Sequence, residues 1–127
     1  MRDYTGKTAY IGIDVHKKTY AVTCIIDGDI VKRDTLSAEP EVLVKYLQKH
    51  FKGVLIKTAY EAGFSGFILH RYLLRHGIDS MVVHAASVEI SARDRVKTDK
   101  RDSIKLATQL SHGRLRCIHI PTEQREA

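Results

Sequence analysis

Three short apolar runs follow one another with hardly any chain between them, and no other feature limits the fold as much. "TAYIGIDV" (Thr8–Val15) and "TYAVTCII" (Thr19–Ile26) are rich in β-branched residues, and both predict strands. "DGDIVKRDTL" follows at once. Asp27-Gly28 is a tight-turn signal, because this pair tolerates the positive φ of a two-residue hairpin. A third strand over residues 30–36 therefore pairs antiparallel with the second. Three strands in a row form a meander.

The period then changes. "SAEPEVLVKYLQKHF" predicts a helix opened by Ser37 or Glu39, with Pro40 in its first turn. Val42, Leu43, Tyr46, Leu47 and Phe51 form its apolar stripe, and Gly53 ends it. A fourth strand covers 54–62. A second helix covers 64–77, with Phe64, Ile68, Leu69, Tyr72 and Leu73 on one side and Gly77 as its cap. A fifth strand covers 78–85, a last helix starts near Asp99, and residues 116–121 predict a short extra strand. Strands joined by helices run parallel, through right-handed crossovers. One mixed sheet in the order 3-2-1-4-5, with helices on its faces, satisfies every connection. That is the ribonuclease H-like, RuvC-like α/β order, in which strands one and four are neighbours.

In that sheet two acids meet. Asp14 ends the first strand after the buried run "YIGI", and Glu61 ends the fourth after "LIKTAY". Parallel neighbours release both at one edge, where ligand sites of such sheets lie. The stretch "ARDRVKTDKRDSIKLA" supplies two more acids inside a basic run. On a helix Asp99, Asp102, Leu106 and Leu110 share a face, since residues three apart differ by about 60° and seven or eleven apart by about 20°. The leucines face the sheet, so the acids point inward, while Lys100, Arg101 and Lys105 point away. Taken singly, Asp99 or Asp102 is an ordinary first-turn acid, and Asp14 a strand-end partner of Lys17 or Lys18. Together the four gather at one end of the sheet. Such repulsion is relieved by divalent cations, and oxygen ligands suit Mg²⁺ or Mn²⁺. Two such ions clamp the attacking and leaving oxygens of a phosphoryl transfer.

The 127 residues carry a net charge of +6 and are 43% hydrophobic, which predicts one domain with a real core and a polyanionic partner. Lys17, Lys18, Arg93, Arg95, Lys97, Lys100 and Arg101 are the candidate nucleic-acid contacts. No run of about 18 apolar residues exists to span a membrane, and the N-terminus lacks a signal-peptide h-region. Cys24 and Cys117 lack metal-type spacing and read as reduced thiols of a cytoplasmic protein. His16, two residues after Asp14, is either a strand-end polar group or a neighbour of the metals. The other six histidines show no ligand spacing.

"IGIDVHKKTYAV", "AYEAG" and "RVKTDKRDSIKLA" occur in this order across nearly the whole chain. Together they resemble the N-terminal domain of the DEDD transposases of IS110-type insertion sequences, a group that includes the Piv DNA invertases and the bridge-RNA-guided recombinases. The resemblance implies a RuvC-like domain over residues 1–127, with the D-E-D-D tetrad on Asp14, Glu61, Asp99 and Asp102. It implies DNA as substrate, a structured guide RNA in some members, and a homo-oligomer for the full-length protein. Family members are more than twice this long, and their C-terminal domain carries a serine nucleophile. The chain stops at "PTEQREA", so the expectation is an excised N-terminal domain, monomeric and inactive alone, with none of its own serines as nucleophile. Other readings are a free-standing junction resolvase using the same acids and a non-catalytic DNA- or RNA-binding module. An actin-like ATPase fits poorly, since "VHKK" follows Asp14 where that fold needs glycine to cradle phosphate.

Overall fold

A computed structural model describes residues 4–63, 67–83 and 99–115, with the side chains of 99–102 outside the description. The elements are β1 (Thr8–Val15), β2 (Thr19–Ile26), β3 (Asp29–Ser37), α1 (Pro40–His50), β4 (Leu55–Glu61), α2 (Ile68–Arg75), β5 (Asp79–Val83) and α3 (Asp99–Ser111). They form a five-stranded sheet in the order β3-β2-β1-β4-β5. β2 is antiparallel to β1 and β3, whereas β4 is parallel to β1 and β5. This is the ribonuclease H-like topology expected from the order of runs. The hairpin turn is built as expected too: Asp27 has φ 55° and Gly28 φ 81°. Lys7 closes over it with an ion pair to the Asp27 carboxylate.

The pleat divides each strand between two faces. Ile11 and Ile13 of β1, Val22 and Cys24 of β2, and Tyr60 and Val82 of β4 and β5 belong to the larger core. Leu43, Val44 and Leu47 of α1 and Leu69 and Leu73 of α2 complete it. Each such side chain contributes about 1.5–3 kcal/mol by leaving water. The opposite face is smaller: Ala59 and Val83 of the sheet cluster with Leu106 and Leu110 of α3 and with Leu115 just after it.

Two local expectations needed correction. Helix α2 starts at Ile68, and Ile68 is 70% exposed rather than part of the buried stripe. The buried positions are Leu69, His70 and Leu73, and Ile68 lies about 200° around the helix from His70. His70 is a core histidine: its ring Nδ1 bonds Ser80 Oγ at 2.9 Å and its backbone N–H donates to Tyr60 Oη at 3.1 Å. Burial, with the Arg71 charge adding to it, holds its imidazole below the ordinary value and therefore neutral. The expected strand at 116–121, Cys117 and the end of the fifth strand at 84–85 lie outside the described residues. Cys24 is buried, and burial pushes its thiol up to about 12, which leaves it protonated.

A polar clamp holds α1 to β3. Tyr46 Oη donates to Asp34 Oδ2 at 2.6 Å, and Lys32 Nζ lies 3.2 Å from the same carboxylate. Burial alone would raise the Asp34 carboxyl, but the hydrogen bonds from Tyr46 and Lys32 outweigh it and hold it below its ordinary value. The ionised form is thus favoured by folding. Its stabilisation is complete above the ordinary value of 3.8 and is lost as pH falls below it, through the lowered folded value. Tyr46→Phe should cost about 1 kcal/mol at pH 7, since the bond is charge-assisted but partly screened. The cost should shrink at pH 3, and urea unfolding at the two pH values measures the difference. A cost that stays constant would remove the carboxylate from the account.

Candidate active site

β1 and β4 pair in register from Thr8↔Leu55 to Ile13↔Tyr60. The next step along the ladder sets Asp14 beside Glu61. Side chains alternate, so Gly12, Asp14, Ala59 and Glu61 share the face on which α3 lies. The carboxylates end adjacent parallel strands for the reason seen in the sequence: the apolar run before each is buried, and the acid stands where burial gives out. Asp14 and Glu61 line a cavity of about 100 Å³ with Ile13, Val15, Ala62, Gly63 and Leu106. Leu106 is the contribution of α3 and forms the roof.

Asp14 is largely covered, with its side chain 15% exposed. An acid so placed needs a partner. His16 Nε2 shares a 2.9 Å hydrogen bond with Asp14 Oδ2. The turn that returns this histidine is held by His16 N–H donating to the Thr19 carbonyl at 2.9 Å. After Glu61 the chain is pinned to β5, as Ala62 N–H donates to the Val83 carbonyl at 2.9 Å. Both acids therefore stand on backbone fixed from each side.

The direction of α3 follows from its contacts. Leu110 and Ser111 lie with Tyr10, Lys57 and Asp79, near the amino ends of the parallel strands. Leu106 lies over Asp14 and Glu61, at their carboxyl ends. The amino-terminal turn of α3 thus continues beyond Leu106 on the carboxylate side. Asp99 and Asp102 are seven and four positions before Leu106, on its stripe. Their side chains, and those of Lys100 and Arg101, lie outside the described residues, as do Arg93, Arg95 and Lys97 altogether. Lys17 and Lys18 are exposed in the turn after β1, at the same end of the sheet.

Sequence reasoning missed the residue that lets α3 lie this low. A Cβ on Gly12 would come within 2.2 Å of the Ser103 carbonyl oxygen, 2.5 Å of Ala107 N and 2.9 Å of Leu106 Cβ. The hydroxyls of Thr23 and Ser103 meet beside it at 2.8 Å. A glycine in the middle of an apolar strand signals close backbone approach, and "YIGID" carried that signal.

The donor set suits a hard divalent cation. The two carboxylates at this small cavity are oxygen donors. The buried Cys24 faces the other core and supplies no competing thiolate.

A transposase family model of the DEDD, IS110 type matches residues 11–127. The transposase for insertion sequence element IS1533 of Leptospira borgpetersenii is 31% identical over 125 residues, which cover 95% of this chain and 36% of that protein. Transposase y4qE of Sinorhizobium fredii is 31% identical over 133 residues, covering the whole of this chain and 33% of that protein. The chain thus spans about a third of the length of these curated relatives. Among solved structures, the large terminase nuclease from thermophilic phage G20c superposes with a TM-score of 0.51 at 15% identity, over 89% of this chain and 60% of that one. At that identity the likeness is one of fold.

Proposed function

We propose, for a chain that belongs to the IS110-type DEDD transposase family, that it is the metal-binding catalytic domain of a longer DNA transposase. The observation that carries this reading is the cavity shared by Asp14 and Glu61 beneath α3. Asp14, Glu61, Asp99 and Asp102 would hold two Mg²⁺ or Mn²⁺ ions. When bound, such ions polarise the scissile phosphate and stabilise the attacking and leaving oxygens. The chain's own residues do the rest. The two strand-end carboxylates supply fixed negative charge at the floor of the site. His16 holds the Asp14 carboxylate in one orientation through its hydrogen bond. Leu106 shields the cavity from water on the α3 side. Lys17 and Lys18, with Arg93, Arg95, Lys97, Lys100 and Arg101 as further candidates, attract the DNA backbone and release its counterions.

Residues 1–127 act in this reading as one domain, with the remaining two thirds of the relatives' length supplying further functions. No helix among the described residues is long and apolar enough to cross a membrane.

A crystal of this chain soaked in Mn²⁺ tests the proposal by anomalous scattering. Peaks between Asp14 and Glu61, with Asp99 or Asp102 within about 2.0–2.6 Å of the ion, are the expected result. Asp99 and Asp102 turned away from a metal-free cavity would leave a nucleic-acid-binding module instead.

A further inference from the structure

Among the described residues, helix α3 lies chiefly over β1, β2 and β4. The outer part of that sheet face has exposed residues on β3, and the ladder shows which of them face the same way as the cavity. Gly12 pairs with Thr23 and Thr23 with Arg33, while Asp14 pairs with Ala21 and Ala21 with Thr35. Partners across an antiparallel ladder point to the same face. Arg33 and Thr35 thus share the face of Asp14 and Glu61. At the usual strand spacing Thr35 stands roughly 10 Å across the sheet from Asp14.

A groove of about 290 Å³ lies between α3 and β3, lined by Ala21, Arg33, Thr35 and Ser103 among others. Arg33 and Thr35 are exposed along one border. The bond between Thr23 and Ser103 ties the other border to the sheet. Ala21, with its small side chain, leaves room at the floor. Among the described residues no acid pairs with Arg33. Asp34 borders the groove through its backbone position, but its carboxylate is taken by Tyr46 and Lys32 on the α1 side. The groove therefore presents the Arg33 guanidinium and the Thr35 hydroxyl.

We propose that this groove holds the sugar-phosphate backbone of a single DNA strand on its way to the carboxylate cavity, with Arg33 and Thr35 donating to phosphate oxygens. The proposal rests on the reading of that cavity as the site of strand cleavage. Charge complementarity names the occupant: a fixed guanidinium fork matches a phosphate, and beside it a hydroxyl donor supplies a further contact. The volume is that of a small-ligand site, which suits one strand and not a duplex. Lys17 and Lys18 border the cavity end of the track.

The test is the salt dependence of binding between the 127-residue chain and a fluorescent single-stranded DNA oligonucleotide. Arg33→Ala should weaken binding about tenfold and flatten the slope of log K against log salt by about 0.7, one phosphate contact on a single strand. Lys49→Ala removes the same charge from α1 on the other side of the sheet, and should change affinity by less than about twofold. Equal effects of the two substitutions, no binding by the unsubstituted chain, or equal sensitivity of a matching duplex to Arg33→Ala would overturn the proposal. Mn²⁺ titration keeps the two readings apart. An intact Mn²⁺ site with no Arg33 effect removes the groove alone. An Arg33 effect without an Mn²⁺ site keeps the DNA track and removes the cleavage site.

Discussion

Asp14→Asn, made in a full-length transposase carrying this domain, should reduce DNA strand cleavage by about 10³-fold or more and leave the domain folded. The magnitude follows from the several kcal/mol that a metal clamp contributes to phosphoryl transfer, each 1.36 kcal/mol being a factor of ten. Asn is close in shape to Asp and still accepts a hydrogen bond from His16, so the packing beside β1 survives. What is lost is the charge. Glu61→Gln should behave alike, because the register places its carboxylate beside that of Asp14. Removing one of the two like charges at the cavity relieves repulsion in the metal-free protein, so thermal stability should hold or rise. Measuring cleavage of an oligonucleotide duplex and the melting temperature together checks both halves. A variant that cuts normally excludes Asp14 from the chemistry, and one that unfolds gives it a structural role.

Gly12→Ala should produce a large loss of stability, for Gly12 is the most tightly packed of the described glycines. The new Cβ meets two backbone atoms closer than 3.0 Å, and backbone cannot swing aside as a side chain does. Overpacking of this kind costs typically about 1–3 kcal/mol, and the backbone contacts place Gly12 at the top of that range. The melting temperature should fall by about 10 °C. The variant should also lose metal affinity, because relief of the clash lifts α3 together with Asp99 and Asp102. Gly113→Ala makes a useful comparison: its Cβ meets nothing within 4 Å, so its cost comes only from its φ of 69°. Equal Mn²⁺ affinity in Gly12→Ala and the parent chain would show that the height of α3 does not set the site.

Much of this architecture was legible in the residue order. The hairpin could be read because Asp27-Gly28 admits the backbone of a tight turn, and the sheet order because right-handed crossovers leave few alternatives. Asp14 and Glu61 could be paired before any coordinates, since parallel neighbours end at a common edge. Residue order alone also placed Asp99 and Asp102 on the stripe of Leu106 and Leu110, because helical spacing is local.

Other features belonged to the tertiary structure. Ile68 and His70 lie on opposite faces of a helix, and hydropathy favoured Ile68 for the core. Packing against Tyr60 and Ser80 turned the helix the other way and buried the histidine. The bond from His16 to Asp14 depends on the turn that brings the chain back. Arg33 is one exposed cation among many in the sequence. Its place two strands from Gly12, on the border of the groove beside α3, exists only once the ladder and the helix are both set. Local periodicity and chain connectivity are properties of neighbours along the chain, and the sequence determined those. Which side chains share a cavity or a groove depends on distances between segments far apart in sequence, and only the folded core decided them.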